Sequence, residues 1–273
     1  MEKSNIDEKI KLLTGSGMWH TQEMEGLPSV HLSDGPHGLR KQEEKERQNN
    51  VSLVSTCYPT ASALACSWDV TAAERLGRAV AKEAWNADVA VLLGPGINMK
   101  RSPLCGRNFE YFSEDPFLAG RLGAAYVSAA QGENVAVSLK HFAANNQETN
   151  RQTSNSQIDE RALREIYLSA FEYVVKTARP ATVMASYNRL NGYYACENHH
   201  LLTEILREEW GFDGVVISDW GACADLAKAV KAGMDLEMPD SHGIHARKLK
   251  AALKAGEISE EDIAKAAGSI EKL

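Results

Sequence analysis

The sequence predicts an α/β fold: a (β/α)8-type TIM barrel, irregular at one strand or incomplete. Three observations carry this. Short apolar runs alternate with amphipathic stretches along the chain. The runs are apolar throughout, without the alternation of a half-exposed strand. Each is followed by a crossover long enough for a helix, as in a parallel sheet covered on both faces. The number of such units favours a barrel over the competing arrangement, an open doubly wound sheet.

The elements follow in order. MEKSNIDEKIKLLTG reads as an amphipathic helix, without the apolar segment of a secretory signal. SVHLSD is the first strand. KQEEKERQNN, a run of mixed charge, reads as a solvated, mobile loop. SALACS is the second strand, and TAAERLGRAVAKEAWNA the helix after it, with Asp69 at its N-cap. VAVLLGP is the third strand. DPFLAGRLGAAYVSAAQGE is a helix, and VAVSLKHF the fourth strand. DERALREIYLSAFEYVVKTA is a long helix with Asp159 at its start and Pro180 just past its end. TVMASYN is the fifth strand. In NHHLLTEILREEWG the leading polar residues cap a helix. GVVISDW and MDLEMP are the sixth and seventh strands, with DLAKAVKAG between them. The tail from HARKLKAALKAG onward reads as two helices around a glycine turn. No internal repeat or change of pattern divides the chain, so residues 1–273 read as one domain. The strands number seven, one short of a full ring.

Composition excludes several function classes. The net charge of −7 is spread with both signs along the chain, and no basic cluster with interleaved aromatics appears. Nucleic acid is therefore not an expected partner. No run approaches the ~20 apolar residues that span a bilayer. The five cysteines are an odd number without CxxC spacing, which fits neither a disulfide framework nor a zinc site. They read as reduced, mostly buried thiols, and the expected location is cytoplasmic.

The strand ends carry the chemistry, because barrel active sites occupy the C-terminal ends of the strands. Asp219 follows the apolar run Val215, Val216 and Ile217, which ends in Ser218 and reads as a fully buried strand, where a carboxylate is costly unless something requires it. Asp34 ends the first strand. The third leads into a loop with Lys100, Arg101 and Arg107. Lys140 and His141 end the fourth, and Arg151 lies in the loop beyond. Tyr187 and Asn188 end the fifth, Trp220 follows Asp219, and Glu237 lies on the seventh. Ionisable groups of both signs on one face describe a pocket rich in charge-assisted hydrogen bonds. Its expected ligand is neutral and rich in hydroxyls: carboxylates accept from them, Arg and Lys donate, and Trp220 covers an apolar sugar face. GPGIN lacks the Lys-Ser/Thr of a phosphate loop. His20, His31 and His37 show no metal spacing, so neither metal nor cofactor is expected. A Schiff-base role for Lys140 is disfavoured by its charged surroundings and by the lack of a phosphate site.

The segments LSDGPHGLR, GPGINMKRSPLCGRNFEYFSEDP, LKHFAANNQETNR, VMASYNRLNG, LREEWGFDGVVISDWGA and AGMDLEMP, in this order, resemble the N-terminal barrel domain of family 3 glycoside hydrolases, the β-glucosidase and β-xylosidase group. The resemblance covers nearly the whole chain. It implies a retaining O-glycosidase acting on terminal β-linked sugars, with Asp219 as nucleophile. By the same resemblance Asp34, Arg107, Lys140, His141 and Arg151 hydrogen-bond the sugar next to the scissile bond. Tyr187 stands beside the nucleophile, and Trp220 and Met184 line the pocket. Glu237 is a weaker match.

The chain departs from the pattern at the general acid. A retaining glycosidase needs a second carboxyl roughly 5–5.5 Å from the nucleophile. In the β-glucosidases that this chain resembles, that glutamate comes from a second α/β domain after the barrel, and this sequence stops where that domain would begin. Single-domain relatives carry a His–Asp dyad after KHF, but here the text is KHFAANNQE. Glu148 is the nearest substitute, and beside Arg151 it reads first as a salt bridge that shapes the loop. The expectation is a nucleophile and a sugar pocket without the usual acid. The alternative is a weakly active or non-catalytic sugar-binding remnant. An open barrel face would then invite self-association or a partner chain.

Overall fold

The structure, a computed structural model, describes residues 6–42 and 51–273. The first five residues and most of the charge run KQEEKERQNN lie outside the described residues. The strands are β1 (Leu32–Asp34), β2 (Val91–Leu93), β3 (Ala136–Phe142), β4 (Asn155–Ser156), β5 (Thr182–Ala185), β6 (Arg189–Leu190), β7 (Tyr193–Tyr194) and β8 (Val215–Ser218). The helices are α1 (Ile6–Leu12), α2 (Ala61–Ala65), α3 (Val70–Asn86), α4 (Pro116–Gln131), α5 (Glu160–Ala162), α6 (Ser169–Ala178), α7 (Leu226–Ala232), α8 (Ile244–Lys254) and α9 (Glu260–Ile270).

The main sheet has the order β1-β2-β3-β5-β8, with every pairing parallel. Parallel strands end on one edge, so the residues after Asp34, Leu93, Phe142, Ala185 and Ser218 share a face. Beyond β8 the sheet continues as single bridges rather than a ladder. Ser218 N donates to Leu236 O at 2.9 Å, Glu237 N to Leu13 O at 2.9 Å, and Gly15 N to Glu237 O at 3.0 Å. The return to β1 is antiparallel, through the His20–His31 bridge. The ring is thus barrel-like but not closed by a continuous parallel ladder, in line with the expected irregularity.

Local sequence explains the helices. Asp69 caps α3 by accepting from Thr71 N at 2.9 Å, and Asp159 caps α5 by accepting from Ala162 N at 3.0 Å. Asn198 Oδ1 accepts from Leu201 N at 3.1 Å, the capping role expected of NHH. Residues Ala73, Leu76, Val80, Ala81 and Ala84 form the buried stripe of α3. That stripe packs closely on α4: a Cβ at Gly77 would lie 2.5 Å from Tyr126 O, so only glycine fits there. The long helix before Pro180 is divided, with α5 passing through wider π-type turns at Leu163–Tyr167 before α6. Similar turns run through His200–Glu209.

Two strand expectations are corrected. SALACS is not a strand but α2, started by Thr60, whose hydroxyl accepts from Ala63 N at 3.3 Å. Alanine favours the helix, and the segment has no β-branched residue to oppose it. MDLEMP contributes bridges rather than a regular strand. The Asp235 carboxylate accepts from Val216 N at 2.7 Å and so takes the place of a backbone ladder partner. The short sheet of β4, β6 and β7, which no sequence pattern announced, rises beside the loop of Arg151.

Candidate active site

Asp219 starts where β8 ends. Its backbone N–H donates to Ala185 O at 2.9 Å, so the neighbouring strand fixes its position. One carboxylate oxygen, Oδ1, accepts from Trp220 N at 2.7 Å. The other, Oδ2, has no hydrogen-bond partner among the described residues. It lies 4.0 Å from an Arg107 guanidinium nitrogen and 3.8 Å from His141 Nε2. Burial pushes the carboxyl above its ordinary range, while Arg107, Lys140 and the Trp220 N–H pull the other way. The oxygen that can react is therefore buried and faced by Arg107 and His141, with neither close enough to hydrogen-bond it.

A cationic network stands behind it. Lys140 is buried at the end of β3, with Nζ 3.6 Å from Asp34 Oδ1 and 3.6 Å from Glu110 Oε2. Glu110 also accepts a short hydrogen bond from Arg107 Nε. Burial alone would push Glu110 up, but Lys140 and Arg107 outweigh it and hold its carboxyl below the ordinary range. Arg107 is likewise held charged by its acidic neighbours against burial. Asp34 is positioned by the DGPHG turn. There Gly35 has φ of +122°, and a Cβ would lie 1.9 Å from Gly38 O.

His141 is fixed through its backbone and through Nδ1. Its backbone N–H donates to Asn98 Oδ1 at 2.7 Å, and Asn98 Nδ2 donates to its carbonyl at 2.8 Å. Burial, with Arg107 and Lys140 nearby, pushes the imidazole well below its ordinary range, so the ring is neutral. Tyr111 Oη lies 3.0 Å from Nδ1 and accepts from Asn145 Nδ2 at 3.4 Å. Its own proton is then free to be donated to Nδ1. That assigns the remaining ring proton to Nε2, on the side of Asp219.

The outer wall is aromatic. The Tyr187 hydroxyl donates to Trp220 O at 2.9 Å, and the Arg151 guanidinium sits 4.3 Å over the Tyr187 ring. Burial and the Asp219 charge raise the Tyr187 phenol, which stays protonated. Trp220 donates through Nε1 to Met18 O at 2.7 Å, and its ring lies 5.3 Å from that of Trp19. Arg151 also pairs with Glu148 at 2.9 Å, and Asn145 Nδ2 donates to the same carboxylate at 3.1 Å. Glu148 is thereby engaged as the loop salt bridge expected of it.

The structure thus gathers Asp34, Arg107, Lys140, His141, Arg151, Tyr187, Asp219 and Trp220 around one point. Met184 lies within β5, paired with Ile217 of β8 and buried in the apolar core. Lys100 is drawn away to the Ser62 hydroxyl, at 2.6 Å. Sequence reading missed Glu110, Tyr111, Asn98 and Trp19. Only Glu110 left a signal, as an acid set among the aromatics of NFEYF. The arrangement can hold a neutral polyol between donors of both signs and present one carboxylate oxygen to it. Among the described residues no helix is long and apolar enough to cross a membrane.

Comparison with known proteins gives a consistent answer. The family described as "Glycosyl hydrolase family 3 N terminal domain" matches residues 36–273. Thermostable beta-glucosidase B of Acetivibrio thermocellus is 50% identical over 277 aligned residues, covering 100% of this chain and 37% of that protein. An Exo-alpha-(1->6)-L-arabinopyranosidase of Bifidobacterium longum is also 50% identical, over 87% of this chain and 32% of that protein. Among solved structures, beta-glucosidase 3B from Thermotoga neapolitana in complex with glucose superposes with a TM-score of 0.94 at 39% identity. It covers 99% of this chain and 41% of that one. The chain thus spans well under half the length of the relatives that it matches, and its fold is their TIM-barrel-like domain.

Proposed function

This chain belongs to glycoside hydrolase family 3, and we propose that it is the nucleophile-bearing barrel of a retaining β-glucosidase-type O-glycosidase, residues 1–273 forming one unit. The observation that carries the proposal is the state of Asp219. Oδ1 is tied to a backbone N–H, while Oδ2, without a hydrogen-bond partner among the described residues, faces Arg107 and the neutral His141 at the end of a parallel strand.

In this reading Oδ2 attacks the anomeric carbon of a terminal β-linked sugar. The bond to the leaving oxygen breaks, and that oxygen departs with a proton from an acid or, if activated, without one. Water then opens the glycosyl ester. Asp34, Lys140, His141 Nε2–H, Arg107 and Arg151 hold the sugar hydroxyls, and Trp220 with Tyr187 covers its apolar face. Met184 supports this wall from within β5. Contacts that strengthen as charge develops on the ring lower the barrier.

The chain's substrate is a small oligosaccharide or other β-glycoside. Glucosidase and arabinopyranosidase relatives are equally similar, so the sugar is not set by overall similarity. A second reading, a sugar-binding domain with little turnover, is favoured by Glu148, whose carboxylate is occupied by Arg151 and Asn145. Met18, Leu104 and Phe109 are exposed apolar residues on the loops around the pocket, which supports a partner chain or second copy over this face. The test is turnover of a dinitrophenyl β-glucoside by the purified chain. Hydrolysis that disappears in Asp219→Asn supports the enzyme. Sugar binding without hydrolysis supports the second reading.

A further inference from the structure

Three potential metal ligands meet just outside the sugar pocket. Cys223, Glu237 and His245 each place a ligand atom within 4.8 Å of the other two. They come from separate segments: the turn after Asp219, the bridging segment beside β8, and the first turn of α8. No sequence spacing connects them. Cys223 and Glu237 are buried, while the His245 side chain, 16% exposed, opens the cluster toward solvent. Glu237 Oε1 lies 2.5 Å from His245 Nδ1, and Oε2 has no hydrogen-bond partner among the described residues although the side chain is 3% exposed. A buried carboxylate oxygen without a partner is costly and calls for an explanation.

We infer that Cys223, Glu237 and His245 form a binding site for one thiophilic divalent cation, with Zn²⁺ the best match. Thiolate, imidazole and carboxylate are the donors that zinc accepts, and a three-ligand set leaves a fourth position for water on the open side. The Glu237 carboxylate brings negative charge to the site, and a cation there would meet its unpartnered Oε2. On binding, the Sγ–H bond breaks, a sulfur–metal bond forms, and the proton leaves to solvent. The consequence is mechanical. Cys223 lies four residues after Asp219, and the Glu237 backbone bonds to Leu13 and Gly15. The cation would therefore pin the turn behind Asp219 to α8 and to the irregular end of the ring. This inference does not depend on the catalytic role of Asp219.

The test uses the full chain carrying C57S and C66S, because Cys57 and Cys66 are the exposed thiols and could take metal adventitiously. After chelator treatment, Co²⁺ should bind at one equivalent with a thiolate-to-cobalt charge-transfer band, and Zn²⁺ should displace it. Cys223→Ser should abolish the band. His245→Ala should weaken Co²⁺ binding by at least about tenfold. Should Cys223→Ser fail to fold, zinc-edge X-ray absorption of the C57S/C66S protein decides, and one sulfur at about 2.3 Å is expected. Three results would overturn the site: no saturable binding at one equivalent, a band that persists in Cys223→Ser, or a shell of nitrogen and oxygen only. Each would leave the cluster as a hydrogen-bonded Glu237–His245 pair packed against a thiol.

Discussion

His141 Nε2 stands 3.8 Å from Asp219 Oδ2, and the Tyr111 hydroxyl on the far side of the ring assigns the remaining imidazole proton to Nε2. A neutral donor thus faces the free oxygen of the proposed nucleophile. It can hydrogen-bond a sugar hydroxyl without forming an ion pair that would quench the carboxylate. Tyr111→Phe removes the group that sets this proton. It should lower kcat/KM for an aryl glycoside by roughly tenfold, about 1.4 kcal/mol, with little effect on folding. Unchanged kinetics would show that the ring orients itself without Tyr111.

Asp219 combines function with a stability cost. Its folded-state carboxyl is raised above the ordinary value of 3.8 by burial. The folded state therefore holds the proton more tightly than the unfolded state does. Stability should fall as pH rises from 3.8 through the folded value, and the ionised carboxylate is a cost above it. Asp219→Asn should lose turnover on the order of 10⁴-fold and yet be more stable than the parent at neutral pH. The stability gain should vanish below the ordinary value. Urea unfolding at neutral and acidic pH reads both effects, and a less stable Asp219→Asn at neutral pH would contradict them.

Glu110 behaves in the opposite sense. Its carboxyl is held below the ordinary 4.5 by Lys140 and Arg107 despite burial. Its contribution to stability is present above that value and is lost as pH falls through the folded one. Replacing it leaves two cations without their shared partner inside the protein. Glu110→Gln should cost about 3–5 kcal/mol in urea unfolding and also weaken sugar binding. A loss below about 1 kcal/mol would mean that Asp34 and Asp219 take over the two cations.

Asp34 is the most exposed acid of the cluster, at 35%. Asp34→Ala should weaken glycone binding by roughly 1.5–3 kcal/mol in calorimetry, the usual worth of a charged hydrogen bond. Unchanged affinity would confine Asp34 to organising the DGPHG turn.

Leaving-group dependence tests the engagement of Glu148. General acid assistance is worth roughly 10²–10⁴-fold, and poor leaving groups need it most. The chain on its own should favour dinitrophenyl glycosides over cellobiose by at least about 10²-fold, and azide or formate should raise turnover of the former. Brisk cellobiose hydrolysis, or an acidic limb in the pH profile that disappears in Glu148→Gln, would show that the barrel carries its own acid.

Much of this was legible in the sequence because strand ends are. Parallel strands buried on both faces read as apolar runs, and the polar residues at or just past their C-terminal ends share one face. Asp34, Lys140, His141, Tyr187 and Asp219 all came to the site this way. Arg107 and Arg151 arrived on the loops beyond the strand ends, and only the motif resemblance singled out Arg107 from Lys100 and Arg101. Glu110 and Tyr111 sit in a short 3₁₀ turn and strand-like bridge that no periodicity announces. SALACS shows the opposite failure. A short apolar run without β-branched residues fits helix or strand equally, and Thr60 decided for the helix. The segment Leu13–Gly15, which extends the ring, was hidden at the end of a helical pattern.

Identification of the nucleophile tests the account most directly. A 2-deoxy-2-fluoro aryl β-glycoside with an activated leaving group slows the second step and needs little acid assistance in the first. After incubation and proteolysis, mass spectrometry should find the glycosyl ester on the peptide containing VVISDWGA, with fragmentation placing it on Asp219. A label on Asp34, Glu148 or Glu237, or no ester from a substrate that the chain demonstrably hydrolyses, would contradict it.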